Sequence, residues 1–385
     1  MKGSAAATAG TGANGRLRET AARALARLSA AGATGDVVLV ESDSHEVRVR
    51  GDEIDFVVQS RERALGIRAL VASPDGARSA TTSTSDLTDE AVDRMVEETV
   101  ALARATAPDP AAGLPEDGFA RDLPDLELLA PADRNVSVEA RIEDARRAEQ
   151  AARAADPRIR NSEGSQASSD FAAIVYGNTS GFLESYASAH HGLYAEPLAE
   201  ADGSKQRDYW MTASRRLDGL EDPASVGRRA AARAVRRLGA RPVKTCEAAV
   251  LFDELTARSL LSQAAGLVSG YAVYRHQSCW AERLGEIVAS ELVTVIDDGR
   301  IPGSLGSKPF DGEGLPTRRK RVIDRGRLET WLLDTYSGRK LGMPSTGNAS
   351  RGVGSGPGVG AANLWIEPGR ETTAEIIAET ERGLL

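Results

Sequence analysis

Four histidines, two cysteines and a run of alternating glycines are the residues of this 385-residue chain whose types and spacing admit chemistry. His45 precedes Glu46 in "SHEVRV", but no second histidine follows at ligand spacing, so the two read as a solvated strand pair, not as half a metal site. His190 and His191 in "AHHG" are strand neighbours. Adjacent strand residues face opposite ways, so the two imidazoles do not share an ion and read as a surface pair. His276, Ser278 and Cys279 fall within "YRHQSCW" and supply nucleophile and base types. Adjacency in sequence is not triad geometry, however, and a cysteine with no evident base is expected to be buried and structural. Gly352, Gly354, Gly356, Gly358 and Gly360 take every second position of "RGVGSGPGVG". Extended, they present a bare face that another backbone can approach; the alternative is a flexible linker, and both readings stay open. The run does not satisfy GxGxxG, and "GSLGSK" is not a phosphate-binding loop of the Walker type, so nucleotide binding is unsupported.

The elements that must carry these residues follow from periodicity. Helices are expected at 16–31, 88–106, 137–155, 224–239, through "LLSQAAGLVSG" (260–270) and near 371–382, with Ser85 or Thr88 capping the second. Residues 36–84 and 158–217 alternate apolar with polar and are broken by Pro-Asp-Gly, Asn178–Gly181 and Asp202-Gly203 turns, as strands require. Strand blocks punctuated by helices, without regular βαβ alternation, indicate an α+β fold. Residues 1–15 are Gly/Ala/Thr-rich and expected to be disordered, an N-terminal domain to span 16–240, and a second domain 241–385. A net charge of −8 argues against a general phosphate-backbone binder. The basic stretch at Arg228, Arg229, Arg233, Arg236, Arg237 and Arg241 reads as a solvated helix face with acidic neighbours. Two cysteines without CxxC spacing imply neither a disulfide framework nor a structural zinc site. No secretory h-region and no membrane-length apolar run is present, so a cytoplasmic protein without membrane contact is the expectation.

One stretch is specific. "KPFDGEGLPTRRKRVIDRGRLETWLLDTYSGRKLGMPSTGNASR", residues 308–351, resembles the TldD/PmbA family, once described as modulators of DNA gyrase. Further segments agree in order: "GIRALV" and "GARSATTSTSDLT", "EDPASVGRRAAARAVRRLGARPVKT", "SGYAVYRHQSCWAERLGEIVASELVTVIDDG" and "GPGVGAANLWIEPG". The resemblance covers nearly the whole chain after residue 35. It implies a two-domain fold, mixed in its N-terminal part and mainly antiparallel β with helices in the second, and a heterodimeric protease. In that system one subunit carries zinc on a helix resembling LLHEAxGH, whose HExxxH supplies two histidine ligands and a glutamate base, and a cysteine near the C-terminus completes the site.

Laid over that motif, "LLSQAAGL" places Ser262 and Leu267 at the histidines and Gln263 at the glutamate, while Leu260, Leu261, Ala264 and Gly266 keep the scaffold. A hydroxyl and an alkyl group do not replace imidazole on zinc, and an amide takes no proton from bound water. The helix reads as kept for packing. The resemblance therefore implies the TldE/PmbA-type, non-catalytic subunit of a metalloprotease acting in proteolysis or peptide maturation. No cofactor is expected in this chain. Zinc belongs to a TldD-like partner, the substrate is an extended peptide passing near Gly352–Gly360, and a homodimer is the arrangement available without the partner. Two other readings are a regulatory protein-binding module of the gyrase-modulator type and a hydrolase with its site displaced to His276, Ser278 and Cys279. Relatives run on past "ERGLL", so an exposed sheet edge and a truncated second domain are expected.

Overall fold

A computed structural model describes residues 6–384. The first helix, α1 (Ala6–Ala30), starts ten residues ahead of its expected position. The expected disorder of 1–15 thus meets a helix from Ala6 onward, and its first five residues lie outside the described ones. Residues 6–15 hold four alanines, the best helix former, together with three glycines, which favour the helix least of any residue but proline. From there its apolar stripe is Leu17, Ala21, Ala24, Leu25 and Leu28, all buried.

The chain then lays down β1 (Thr34–Arg50), β2 (Glu53–Ser73) and β3 (Gly76–Thr84), followed by α2 (Asp89–Ala105), α3 (Val138–Ala155), β4 (Ile159–Asn178), β5 (Leu183–Ala201), β6 (Ser204–Arg207), β7 (Trp210–Ser214) and α4 (Pro223–Arg236). Helix boundaries lie close to those expected because the caps are explicit. Ser137 accepts from Ala140 N and Asp222 from Ser225 N. Thr88 sits at the N-cap of α2 without a side-chain cap bond; Asp86 holds it by accepting from its N–H and its hydroxyl. The seven strands form one antiparallel sheet in the order β3-β2-β1-β4-β5-β6, with β7 also on β5.

Alternation along β1 separates the two faces of this sheet. Val37, Leu39, Val47 and Val49 point to the side covered by α1 to α4, where they join two apolar clusters. Asp36, Val38, Val40 and Ser42 point the other way, toward the C-terminal half. Small residues let the helices approach. A Cβ on Gly227 of α4 would lie 2.9 Å from the backbone nitrogen of Ala152 in α3 and still closer to the Ala148 carbonyl.

The C-terminal half is built of short pieces: β8 (Ala249–Val250), α5 (Glu254–Leu267), α6 (Gly270–Tyr274), β9 (Val295–Asp298), β10 (Arg319–Asp324), β11 (Arg327–Leu328), α7 (Thr335–Leu341), β12 (Ala349–Ser350), β13 (Gly358–Val359), β14 (Asn363–Ile366), α8 (Thr373–Glu379) and β15 (Gly383–Leu384). The order β11-β10-β9-β14 makes an antiparallel four-stranded sheet, and β15 pairs with β8 in parallel. The last helix is shorter than expected, and Ile377 on it is half exposed.

The halves lock together. Phe310 enters an aromatic group on the second sheet face, edge-on to Phe182 and Tyr186, each at 5.3 Å between centroids. The Pro-rich connection between α2 and α3 straps across both halves: Asp109 accepts from Tyr336 Oη (2.7 Å) and Lys340 Nζ (3.0 Å), and Leu114 O accepts from Arg339 Nη2 (2.7 Å).

Candidate functional site

The helix that would hold a zinc site is α5. Asp253 caps it, accepting from Thr256 N at 2.9 Å, and the same carboxylate accepts from Arg233 Nη1 at 2.8 Å. Arg229 reaches Glu254 at 2.8 Å and Glu221 at 3.2 Å, and its guanidinium lies 3.7 Å over the Trp210 ring. The basic face of α4 is thus matched by acids, as its pattern suggests, and it fixes the start of α5. Beyond that start the helix is bare. No residue of α5 is buried: Ser262 and Gln263 are exposed, Leu267 is half-buried, and Leu260 keeps 49% of its surface. The packing expected of this helix is met within the chain by part of its apolar face. Half of its fourteen positions are apolar; Leu255 leans on the α3–α4 cluster and Leu261 on the C-terminal one.

A serine hydroxyl, a carboxamide and an isobutyl group do not make a zinc donor set. Among the described residues no group of three or more His, Cys, Asp or Glu side chains converges on a point. The residues present on α5 do not fit the metal.

Other sequence candidates separate. Ser278 is buried, donates to Leu267 O at 2.7 Å and accepts from Trp280 N, so its hydroxyl holds the end of α5. Cys279 is exposed, against its expected burial, because the 276–286 segment is a surface turn, and Cys246 is exposed as well. No hydrogen bond joins His276, Ser278 and Cys279 among the described residues. His191 is not at the surface: its side chain is fully buried, while His190 on the opposite face is exposed. His191 Nδ1 lies 2.8 Å from Ser169 Oγ, Arg141 Nε donates to that same oxygen at 3.3 Å, and Asp133 lies 3.4 Å from Nε2. Burial pushes the imidazole below its ordinary pKa against the pull of Asp133.

The glycine run is neither one extended strand nor a free linker. Ala349 and Ser350 pair with Val359 and Gly358 as a hairpin, and residues 353–355 turn between them. Gly354 approaches Ser83, Gly360 packs on Ser350, and Gly356 faces open space. The hairpin is pinned by Tyr271 Oη to Pro357 O (3.2 Å) and Asn348 Nδ2 to Gly360 O (3.1 Å). The close backbone approach occurs at Gly66 of β2 instead. A Cβ there would stand 2.7 Å from the Val353 carbonyl carbon and overlap its oxygen.

Beside that hairpin lies a buried charge cluster that sequence reading missed. Asp36, fully buried on β1, accepts from Arg68 Nε (3.0 Å), from Arg351 Nη1 and from Tyr176 Oη (3.4 Å). Asp36 and Arg68 are register partners on β1 and β2; Arg351 arrives from the other half. Burial would raise the Asp36 pKa, but the two guanidiniums hold it below its usual value. Glu313, 1% exposed, accepts from Thr335 N at 2.8 Å; burial first, and the neighbouring Asp311 second, push it up to about 7. Asp311 accepts three backbone N–H groups, from Glu313, Leu315 and Ala349, and burial raises its pKa. Lys308 donates to Ala349 O at 3.0 Å, and burial lowers its pKa. In sequence these are scattered ionisable residues of ordinary composition. The only signal was that 308–351 carries the family-like pattern.

This architecture and the sequence agree on a family. Models of the PmbA/TldA metallopeptidase match in three consecutive parts: domain 1 over residues 35–103, the central domain over 131–238 and the C-terminal domain over 245–385. The chain belongs to the PmbA/TldD metallopeptidase family. It is 36% identical over 334 residues to metalloprotease PmbA of Escherichia coli O157:H7 and, over the same length, 36% identical to the PmbA homolog of Haemophilus influenzae. Each comparison spans 86% of this chain and 73% of the relative. Two crystal structures share the fold at 24% identity. One, from Bacteroides thetaiotaomicron and described as a modulator of DNA gyrase, aligns with a TM-score of 0.84 over 95% of this chain and 80% of its own. The other, TldE from Thermococcus kodakarensis, aligns at 0.81 over 91% and 78%. The fold is mixed α+β, with antiparallel sheets and helices as in these structures. No helix among the described residues is long and apolar enough to cross a membrane.

Proposed function

We propose that this chain is a non-catalytic, TldE/PmbA-like subunit of a metalloprotease whose zinc is carried by a TldD-like partner, and that the pair acts on extended peptides in proteolysis or peptide maturation. The observation that carries the reading is the replacement on α5: Ser262, Gln263 and Leu267 stand where two ligands and a base would be, on a correctly capped helix. The bareness of that helix is a second support. An apolar side chain such as Leu260 on this helix, 49% exposed, or Phe252 just ahead of it, 43% exposed, is better accommodated against another chain than in water. A TldD homolog of Buchnera aphidicola is 34% identical to this chain over 108 residues, which is in keeping with a partner of related sequence. The displaced-hydrolase reading loses ground because Ser278 already holds the end of α5 and Cys279 has no base beside it.

The test is metal analysis and peptide cleavage by the purified chain, alone and mixed with a homologue bearing HExxxH. The expected outcome is less than stoichiometric zinc and no cleavage alone, with cleavage by the mixture. One tightly held zinc per chain, or full activity of the homologue unaided, would overturn the reading.

A further inference from the structure

Between the outer face of the large sheet and the C-terminal half lies a cavity of about 110 Å³. Val38, Tyr176 and Tyr186 wall it on the sheet side, and Lys308, Asp311 and Arg351 on the other. The polar groups here are unequally satisfied. Asp311 has three backbone donors and asks for nothing more. Arg351, with a side chain 1% exposed, spends Nη1 on Asp36, while its Nε and Nη2 have no partner. Lys308 uses one donor, on Ala349 O. The unpartnered buried atoms here, Arg351 Nε and Nη2, are both donors of one guanidinium, whose fork matches a carboxylate.

A second, separate cavity of about 550 Å³ lies farther along the same strand, lined by Val40, Ser42, Glu62, Arg63 and Val353 among others. Val38, Val40 and Ser42 follow one another on a single face of β1, a span of about 13 Å at roughly 3.3 Å per residue, and the packed Val353 stands between the two cavities.

We propose that Arg351, with Lys308, binds a carboxylate of an extended peptide at this cavity between the sheet and the C-terminal half. The inference rests on the reading of the chain as a peptide-handling subunit and names the chemistry by which it holds its substrate. The carboxylate comes either from the peptide's C-terminus or from an acidic side chain, and the experiment separates the two.

Three fluorescent hexapeptides are titrated into the full chain by anisotropy: one with a free C-terminal acid, the same sequence as its carboxamide, and the carboxamide with one internal glutamate. The free acid is expected to bind roughly tenfold or more tightly than the amide, the size of one lost charge-assisted hydrogen bond. Recovery with the internal glutamate assigns the site to acidic side chains; no recovery assigns it to the terminus. Arg351→Lys keeps the charge facing Asp36 but loses the fork, and is expected to abolish the discrimination. If that variant does not fold, the wild-type series decides alone. Equal affinity of all three peptides, or no binding of any peptide, overturns the proposal. Co-purification with the zinc-bearing homologue is read in parallel: a chain that pairs and supports cleavage yet ignores the carboxylate overturns this inference and leaves the subunit reading standing.

Discussion

At the scale of single residues, Glu313 sets a measurable pH dependence. Its folded pKa of about 7 lies above its ordinary 4.5, so the native state holds a proton that the unfolded chain has released. The stability tied to this proton is full below the unfolded value and is lost as pH rises through the folded one, a difference worth roughly 3 kcal/mol. His191 acts with opposite sign, because a depressed imidazole loses stability as pH falls below 6.5. The comparison that isolates Glu313 is therefore with Glu313→Gln, which keeps an acceptor for Thr335 N. Urea unfolding at pH 4.5 and pH 8 is expected to show the wild type losing roughly 3 kcal/mol relative to this variant. Parallel pH profiles would show Glu313 to be ionised in the fold. None of this was visible beforehand. A glutamate in "FDGEGLP" looks solvated until the turn that Asp311 organises places it against the start of α7. The α5 replacement was legible for the opposite reason: a metal site needs particular atoms at particular positions on one helix, and the sequence states their absence directly.

Elements were read well where local signals suffice. The caps at Ser137 and Asp222 and the turn at Asp202-Gly203, where both residues take positive φ, are short-range events written in a few residues. Sheet order was not legible, since β1 and β4 pair directly although α2, α3 and two strands separate them in the chain. Helix contact is equally non-local, and α3 against α4 gives a clean test. Gly227 touches the backbone of Ala148 and Ala152, so neither partner can move aside as a side chain would. Gly227→Ala is expected to cost about 1–3 kcal/mol or more, although alanine favours helix intrinsically. Thermal unfolding checks it, with Gly239→Ala as a control that meets no neighbour but carries its own positive φ. A neutral or stabilising Gly227→Ala would mean that the two helices are not in backbone contact.

Over the whole molecule, Asp36 joins the two halves with one carboxylate. Arg68 belongs to its own sheet, and Arg351 arrives 315 positions later. Removing the acid leaves two guanidiniums buried without their counter-charge. Asp36→Ala is accordingly expected to cost about 3–5 kcal/mol in denaturant unfolding, and Asp36→Asn less, because one acceptor remains. A loss within 0.5 kcal/mol, about the size of an ordinary surface substitution, would show that water already screens the cluster.

The meeting of Gly66 with the Val353 carbonyl bears on how this chain recombines with its relatives. Arg351 sits two residues before that carbonyl, so its aim depends on a missing methyl group far away in the primary structure. A chimaera that grafts a C-terminal half from elsewhere onto this sheet keeps the slot, and the incoming loop can seat. The reciprocal graft onto a sheet with any side chain at position 66 displaces the loop and its arginine, however well each parent folds by itself. The crossover point that looks safest by linker composition, near residue 240, therefore cuts across a contact that both pieces must share.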